Sequence, residues 1–383
     1  MRGWVRRVLL RVAVVVAALA LPAVLPAVVL AVVPVPVLAA APVAAAGPAH
    51  DAGLSVEPDR PATALAAPPG APQTAPPVAP PVASAAEPSP AQEAGTTSPA
   101  PACPPAPDAG AWGPPVDRGM LWRISRGGRV SWLFGTVHVG RPSWRLFGPR
   151  TAAALAQSDT LALELDPTDP AVVAALGLGP PAPALPDPLQ QRLAQAVERA
   201  CLPAAALASL HPVLQALTLT VLDARWLGMD PAWSLEILLA QRARAARRQV
   251  VSLEDVELQR AVLVPADPAE ALAAVEHSLR QLEDRSSRRV VARLVEAWER
   301  GDVDTLGRYE RWCECAADEQ ERASLRRLND DRNPHLADRI AALHAEGRRV
   351  FAAVGALHMT GPRALPRLLA ERGFRVERVA FGR

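Results

Sequence analysis

An α/β fold, a mixed sheet flanked by helices, is predicted by this sequence, and three observations carry the prediction. Short apolar strands alternate with helical segments from about residue 118 onward. Two of those strands end alike: Val130 to Pro142 and Val350 to Pro362 each give an apolar run, a Gly-x-x-His unit (Gly135 to His138, Gly355 to His358), and a proline four residues after the histidine. Near the start, Gly127-Gly128 joins two apolar runs as a hairpin with a tight turn.

By composition the 383 residues divide into three stretches, 1–46, 47–117 and 118–383. Met1 to Arg11 carries four arginines, and Val12 to Val33 is uncharged and almost wholly apolar, interrupted only by Pro22 and Pro26. This is the pattern of an export signal. A run of about 22 residues rising ~1.5 Å each also matches a bilayer of about 30 Å, so retention as an anchor is the alternative to cleavage near Ala39 to Ala46. Gly47 to about Pro115 is Ala, Pro, Ser and Thr with almost no large apolar side chain. Such a stretch buries too little surface to offset its ordering entropy and is expected to be a disordered, semi-extended tether.

The roughly 265 residues that remain suffice for one core with a ligand cleft. With 41 basic against 39 acidic side chains there is no basic field to recruit nucleic acid. Every basic residue is an arginine, which excludes Schiff-base and P-loop lysines. Membrane contact is expected only through the N-terminal segment. The four cysteines lack zinc-finger spacing. One disulfide between Cys201 and either Cys313 or Cys315, or unpaired thiols throughout, are the two expectations.

In order, the elements read as follows. Met120 to Ser125 and Arg129 to Phe134 form the hairpin. A short helix after Pro149 leads to a strand, Thr160 to Asp166, that embeds Glu164. Asp187 to Arg248 is helical with a break at Gly228-Met229-Asp230; its last helix, Trp233 to Arg248, ends rich in arginine, as the helix dipole favours. The strand Gln249 to Glu254 follows, then a long helical stretch, Pro268 to Glu299. Ala316 to Leu328 and Pro334 to Gly347 are helices separated by a polar turn containing Arg332. Val350 to Val354 presents the second Gly-x-x-His, Pro362 to Arg372 is the last helix, and Phe374 to Phe381 a closing strand.

Histidines at the carboxyl edge of such a sheet stand where α/β proteins place ligands, and imidazole there can bind a divalent metal or move protons. His138 and His358 are therefore the first candidates. A catalytic zinc site takes three protein ligands, and Glu164 is the natural third; it can alternatively act as general base. Glu254 is the competing acid, with the ordinary role of a charge at a helix N-terminus as its alternative. Arg332 can bind a carboxylate or stabilise an oxyanion. His211, His277, His335 and His344 fall in helical contexts and are expected to be structural or exposed.

Leu133 to His138, Leu163 to Asp166, Gly228 to Asp230, Ser252 to Glu254 with Gln259, Arg332-Asn333, and Val354 to His358 with Gly361 occur in an order that resembles the TraB/GumN family, which includes the Tiki and PrgY proteins. The resemblance covers about Gly119 to Arg383. It implies a fold like that of the erythromycin esterases and ChaN, with the two Gly-x-x-His units as pseudo-repeated halves of one site. It also implies an exported, periplasmic or secreted, metal-dependent hydrolase acting on a peptide or protein. In it His138, His358 and Glu164 match the family's essential histidines and acid, with manganese or cobalt as the metal, zinc being the candidate from the three-ligand pattern, and Arg332 matches a motif arginine. The alternatives are a metal-free acid/base esterase and a non-catalytic binder of peptide or haem.

Overall fold

The hairpin is the first regular structure of the chain. In the computed structural model, which describes residues 103–110, 112–177, 182–316 and 319–382, β1 (Met120–Arg126) pairs antiparallel with β2 (Arg129–Thr136) across Gly127 and Gly128, both at positive φ. The expected signal or anchor (1–46) and residues 47–102 and 111 of the expected tether (47–117) lie outside the described residues. Packing begins before Arg118: Asp117 accepts from the backbone amides of Arg150 and Thr151 at 3.0 and 2.9 Å, so its carboxylate caps α1 (Pro149–Gln157).

Four further strands complete a six-stranded sheet: β3 (Thr160–Leu163), β4 (Gln249–Ser252), β5 (Val350–Gly355) and β6 (Arg375–Arg378), in the order β4-β3-β5-β2-β1-β6. The four strands β4, β3, β5 and β2 are parallel, and β2, β1 and β6 are antiparallel, which makes the sheet mixed as the sequence predicts. Central β5 reads Val-Phe-Ala-Ala-Val-Gly and is buried throughout, because a strand covered on both faces needs apolar side chains at every position. Phe134 and Phe351 meet across it with ring centroids 5.8 Å apart.

Helices supply the covering layers. α2 (Pro170–Gly177), α3 (Asp187–Arg199), α4 (Pro212–Leu222), α5 (Leu235–Ala245) and α6 (Val256–Leu263) are followed by α7 (Pro268–Glu283) and α8 (Ser286–Glu299). After α9 (Val303–Gly307) come α10 (Glu319–Leu328), α11 (Asn333–Ala345) and α12 (Leu365–Glu371). The helical stretch expected from Pro268 to Glu299 is made of two helices, α7 and α8. The chain turns at Arg285, with φ of 62°, because buried Asp223 captures Ser287 Oγ at 2.7 Å and Arg288 Nε at 2.9 Å while Asp284 accepts from the Ser286 amide. Three strand expectations were too long, the closing one, Phe374 to Phe381, shrinking to β6 (Arg375–Arg378). β3 ends at Leu163 and β4 at Ser252, so Glu164 and Glu254 stand just beyond the strands.

The cysteine pairing also differs from expectation. Cys201, at the end of α3, bonds to Cys103, whose Cα lies 5.8 Å away, and Cys313 bonds to Cys315. The partner of Cys201 is hidden from sequence because it lies in the proline-rich stretch. Among the described residues no helix is long and apolar enough to cross a membrane.

Candidate functional site at the carboxyl ends of four parallel strands

Each of the four parallel strands delivers one ionisable side chain at its carboxyl end: Glu254 after β4, Glu164 after β3, His358 after β5 and His138 after β2. Residues that are distant in sequence meet because the strands run the same way in adjacent register, Thr136 opposite Gly355 and Leu163 opposite Ala353. Four of the five predicted site residues are these; the fifth, Arg332, precedes α11. All five are buried.

Arg332 is the hub. Its Nη2 donates to Glu164 Oε2 at 2.6 Å and to Glu254 Oε2, its Nε donates to Glu254 Oε1 at 2.8 Å, and its Nη1 donates to the Leu328 carbonyl. Gln259 adds a donor to Glu254 Oε2 at 3.0 Å. One guanidinium therefore serves two carboxylates in a setting that excludes water, the arrangement a buried charge requires. Burial by itself would raise the Glu164 carboxyl. The Arg332 guanidinium, the two histidines and the Gly355 amide instead hold it well below the usual carboxylate range. Glu254 is thus not merely a helix-terminal charge.

The two histidines have chemically different partners. His358 Nδ1 lies 2.6 Å from Asn333 Oδ1, an acceptor, while Asn333 Nδ2 donates to the Arg363 carbonyl at 2.8 Å. The Asn333 oxygen therefore fixes the proton on Nδ1 and leaves the lone pair on Nε2, which Arg332 Nη1 approaches at 3.4 Å. Burial pushes His358 down to about 4, with Arg332 assisting and Glu164 opposing. His138 Nδ1 instead lies 3.0 Å from Glu236 Oε1, an ion-pair distance at which the ring N–H is not aligned on the oxygen. Burial disfavours charge on His138 too, but the Glu236 and Glu164 carboxylates together outweigh it and the opposing Arg332, and the pKa is raised.

These groups converge beside Gly355. A Cβ there would stand 3.1 Å from Glu164 Oε1, 3.5 Å from His358 Cδ2 and 3.8 Å from His138 Nε2, so the absence of a side chain keeps that point open. Gly135 serves the fold instead: its carbonyl accepts from the Trp298 indole at 2.7 Å.

The proposed metal ligands His138, His358 and Glu164 are among the converging groups, but their arrangement does not fit a metal centre. Among the described residues no group of three or more His, Cys, Asp or Glu side chains is placed to hold a metal ion. Glu164 commits Oε1 to the Gly355 amide and Oε2 to Arg332, whose fixed positive charge a divalent cation would face.

Sequence reasoning missed Glu236 and the role of Asn333. Glu236 shares a helix face with Leu239, Ala240 and Ala243, all fully buried, and a carboxylate at that spacing is the signal that points inward. Asn333 follows Arg332 directly, and only the fold turns it onto His358. Of the other described histidines, His211 caps α4, accepting from the Val213 amide, His277 lies 3.3 Å from Arg280 Nη2 on α7, His344 bridges Ser131 and the Arg126 carbonyl, and His335 meets the Leu253 carbonyl.

A family model for TraB/PrgY/gumN matches residues 120–378, most of the described chain and every residue of the site. The chain belongs to this family. Comparison with curated proteins and with solved structures gives no match. For this TraB/PrgY/gumN family chain, the matched span runs from the first residue of β1 to the last residue of β6, so the family unit is the whole six-stranded sheet with its helices.

Proposed function

We propose that this TraB/PrgY/gumN family chain is a hydrolase of acyl bonds, in a peptide or an ester, using its two Gly-x-x-His histidines in different roles. The observation that carries the reading is the contrast between the Asn333 oxygen on His358 and the Glu236 carboxylate on His138, with the Cδ2 edge of one ring and Nε2 of the other both within 4 Å of the point beside Gly355. His358, neutral and with its lone pair on Nε2, is suited to take a proton from an attacking water. His138, held beside a carboxylate, is suited to give one to the leaving group. Arg332 keeps Glu164 ionised, and Glu164 Oε1, 3.8 Å from His358 Nε2, favours the imidazolium formed when that proton is taken. No step of this scheme passes through a metal.

The test is hydrolysis of a fluorogenic peptide library and a panel of aryl esters by the purified full chain, beside His358→Gln and His138→Gln. Each variant is expected to lose at least about 100-fold in turnover, the usual weight of a general acid or base, while circular dichroism stays unchanged. Turnover equal to wild type in both variants, or stoichiometric binding of peptide or haem without product, overturns the reading. We further propose that the protein works outside the cytosol. The N-terminal export pattern and the two disulfides support this, since such bonds persist in oxidising compartments.

A further inference from the structure

We infer that Glu236 is the positioning residue for His138, holding Nδ1–H so that Nε2 faces the point beside Gly355; the inference rests on the acid role proposed for His138. Glu236 is only 5 % exposed, and neither of its oxygens has an aligned hydrogen bond. A carboxylate in the first turn of a helix ordinarily complements the dipole from the surface, where water screens and solvates it. This one is turned inward, and an unpaired buried carboxylate is costly enough that it needs a cationic or donor partner. His138 Nδ1, at 3.0 Å, supplies one.

The backbone builds this juxtaposition. The Leu235 amide approaches the Val137 carbonyl at 3.4 Å, so the first residue of α5 is tied to the residue preceding His138. Gly140 and Asp230 exchange backbone hydrogen bonds at 3.1 and 2.8 Å, which fixes the loop after His138 against the segment leading into α5. Asp230 is itself held by Arg225 at 2.7 Å and caps the turn at Ala232, and Ser234 then caps α5. Three anchors on both sides of the pair leave Glu236 facing one histidine ring. At 3.0 Å, Nδ1 is within hydrogen-bond reach of the carboxylate, while Nε2 lies on the side of the ring toward Gly355. Without the carboxylate, nothing among the contacts of the ring selects that tautomer over the other.

The experiment combines kinetics with imidazole ¹⁵N NMR on the full chain, recorded at alkaline pH where the ring is neutral. Wild-type His138 is expected to show the Nδ1-protonated form, and Glu236→Ala to lose that signature. Its kcat is expected to fall by about 10²-fold or more with KM within about threefold, as for an acid that orients a catalytic histidine. In the His138→Gln background, Glu236→Ala is expected to change kcat no further. Should Glu236→Ala fail to fold, Glu236→Gln keeps an acceptor oxygen at the same reach. It should retain the Nδ1–H signature yet lose at least about tenfold in kcat, because the amide carries no charge. An unchanged His138 spectrum in Glu236→Ala, or an unchanged kcat in Glu236→Gln, overturns the inference. The spectrum reads the ring's tautomer without turnover, so a protein that hydrolyses nothing sinks the proposed function while the spectrum still tests the positioning role.

Discussion

Arg332 Nη2 and Glu164 Oε2 meet at 2.6 Å, with side chains 3 % and 8 % exposed. The same guanidinium holds Glu254, whose side chain is fully buried. Removing it strands two carboxylates away from water, and removing one partner of a buried ion pair costs about 3–5 kcal/mol. Arg332→Met is therefore expected to lower the unfolding free energy by at least that much in urea titrations. Arg332→Lys should recover only part of it, since an ammonium cannot bridge both carboxylates in one plane.

Gly355 is the second point of leverage. The methyl of Gly355→Ala would press on Glu164 Oε1 at 3.1 Å and fill the point where both histidines converge. Overpacking of this kind costs about 1–3 kcal/mol. Turnover is expected to fall at least about tenfold in a protein that still folds, given a 1 Å misplacement of catalytic groups can cost 10²-fold. Gly307→Ala, whose added carbon would meet nothing nearer than Thr360 Cβ at 3.8 Å, is the control and should change neither property.

Acid should destabilise the fold in a stepwise way that identifies His358. Its folded pKa of about 4 lies below the ordinary 6.5, so between those values the unfolded chain binds a proton that the folded chain refuses. Stability therefore falls as pH drops from 6.5 toward 4, with a slope approaching ~1.4 kcal/mol per pH unit for one proton. Glu164, also depressed, extends the loss to lower pH. His138 has the opposite sign: its raised pKa contributes stability below 6.5 that is lost as pH rises through the folded value. Chemical denaturation from pH 4 to 8 should show a shallower acid slope in His358→Gln than in wild type. Equal slopes would mean that His358 is charged in the folded state.

The Cys103–Cys201 bond spans 98 residues of sequence and ties the first described residue to the end of α3. Loops of that size give an entropic stabilisation of up to about 4.7 kcal/mol, and measured effects are commonly 2–4 kcal/mol. Cys201→Ser is expected to lower the unfolding free energy by about that amount while leaving turnover within about twofold, because no residue of the site touches the bond.

Much of the site could be read from sequence because its residues follow apolar strands. An apolar run ending in Gly-x-x-His marks a side chain at a sheet edge, and two such runs on neighbouring parallel strands must bring their histidines together. Glu164 and Glu254 were legible for the same reason, although both lie just past their strands. Less legible was anything set by tertiary contact. Glu236 looks like an ordinary first-turn acid until α5 is docked, and Asn333 is a turn residue until α11 faces β5. The break at Arg285 carries no glycine or proline; it depends on Asp223, far away in sequence. Cysteine pairing failed because composition alone assigned Cys103 to a tether.

The central claim is hydrolysis by two differently partnered histidines with no step through a metal, and chelation tests it most directly. Protein treated exhaustively with chelator and verified metal-free by elemental analysis should retain its turnover within about twofold, and added manganese, cobalt or zinc should not raise it. Activity abolished by the chelator and restored by one equivalent of such a metal, with binding lost in His138→Gln and His358→Gln, would contradict the claim.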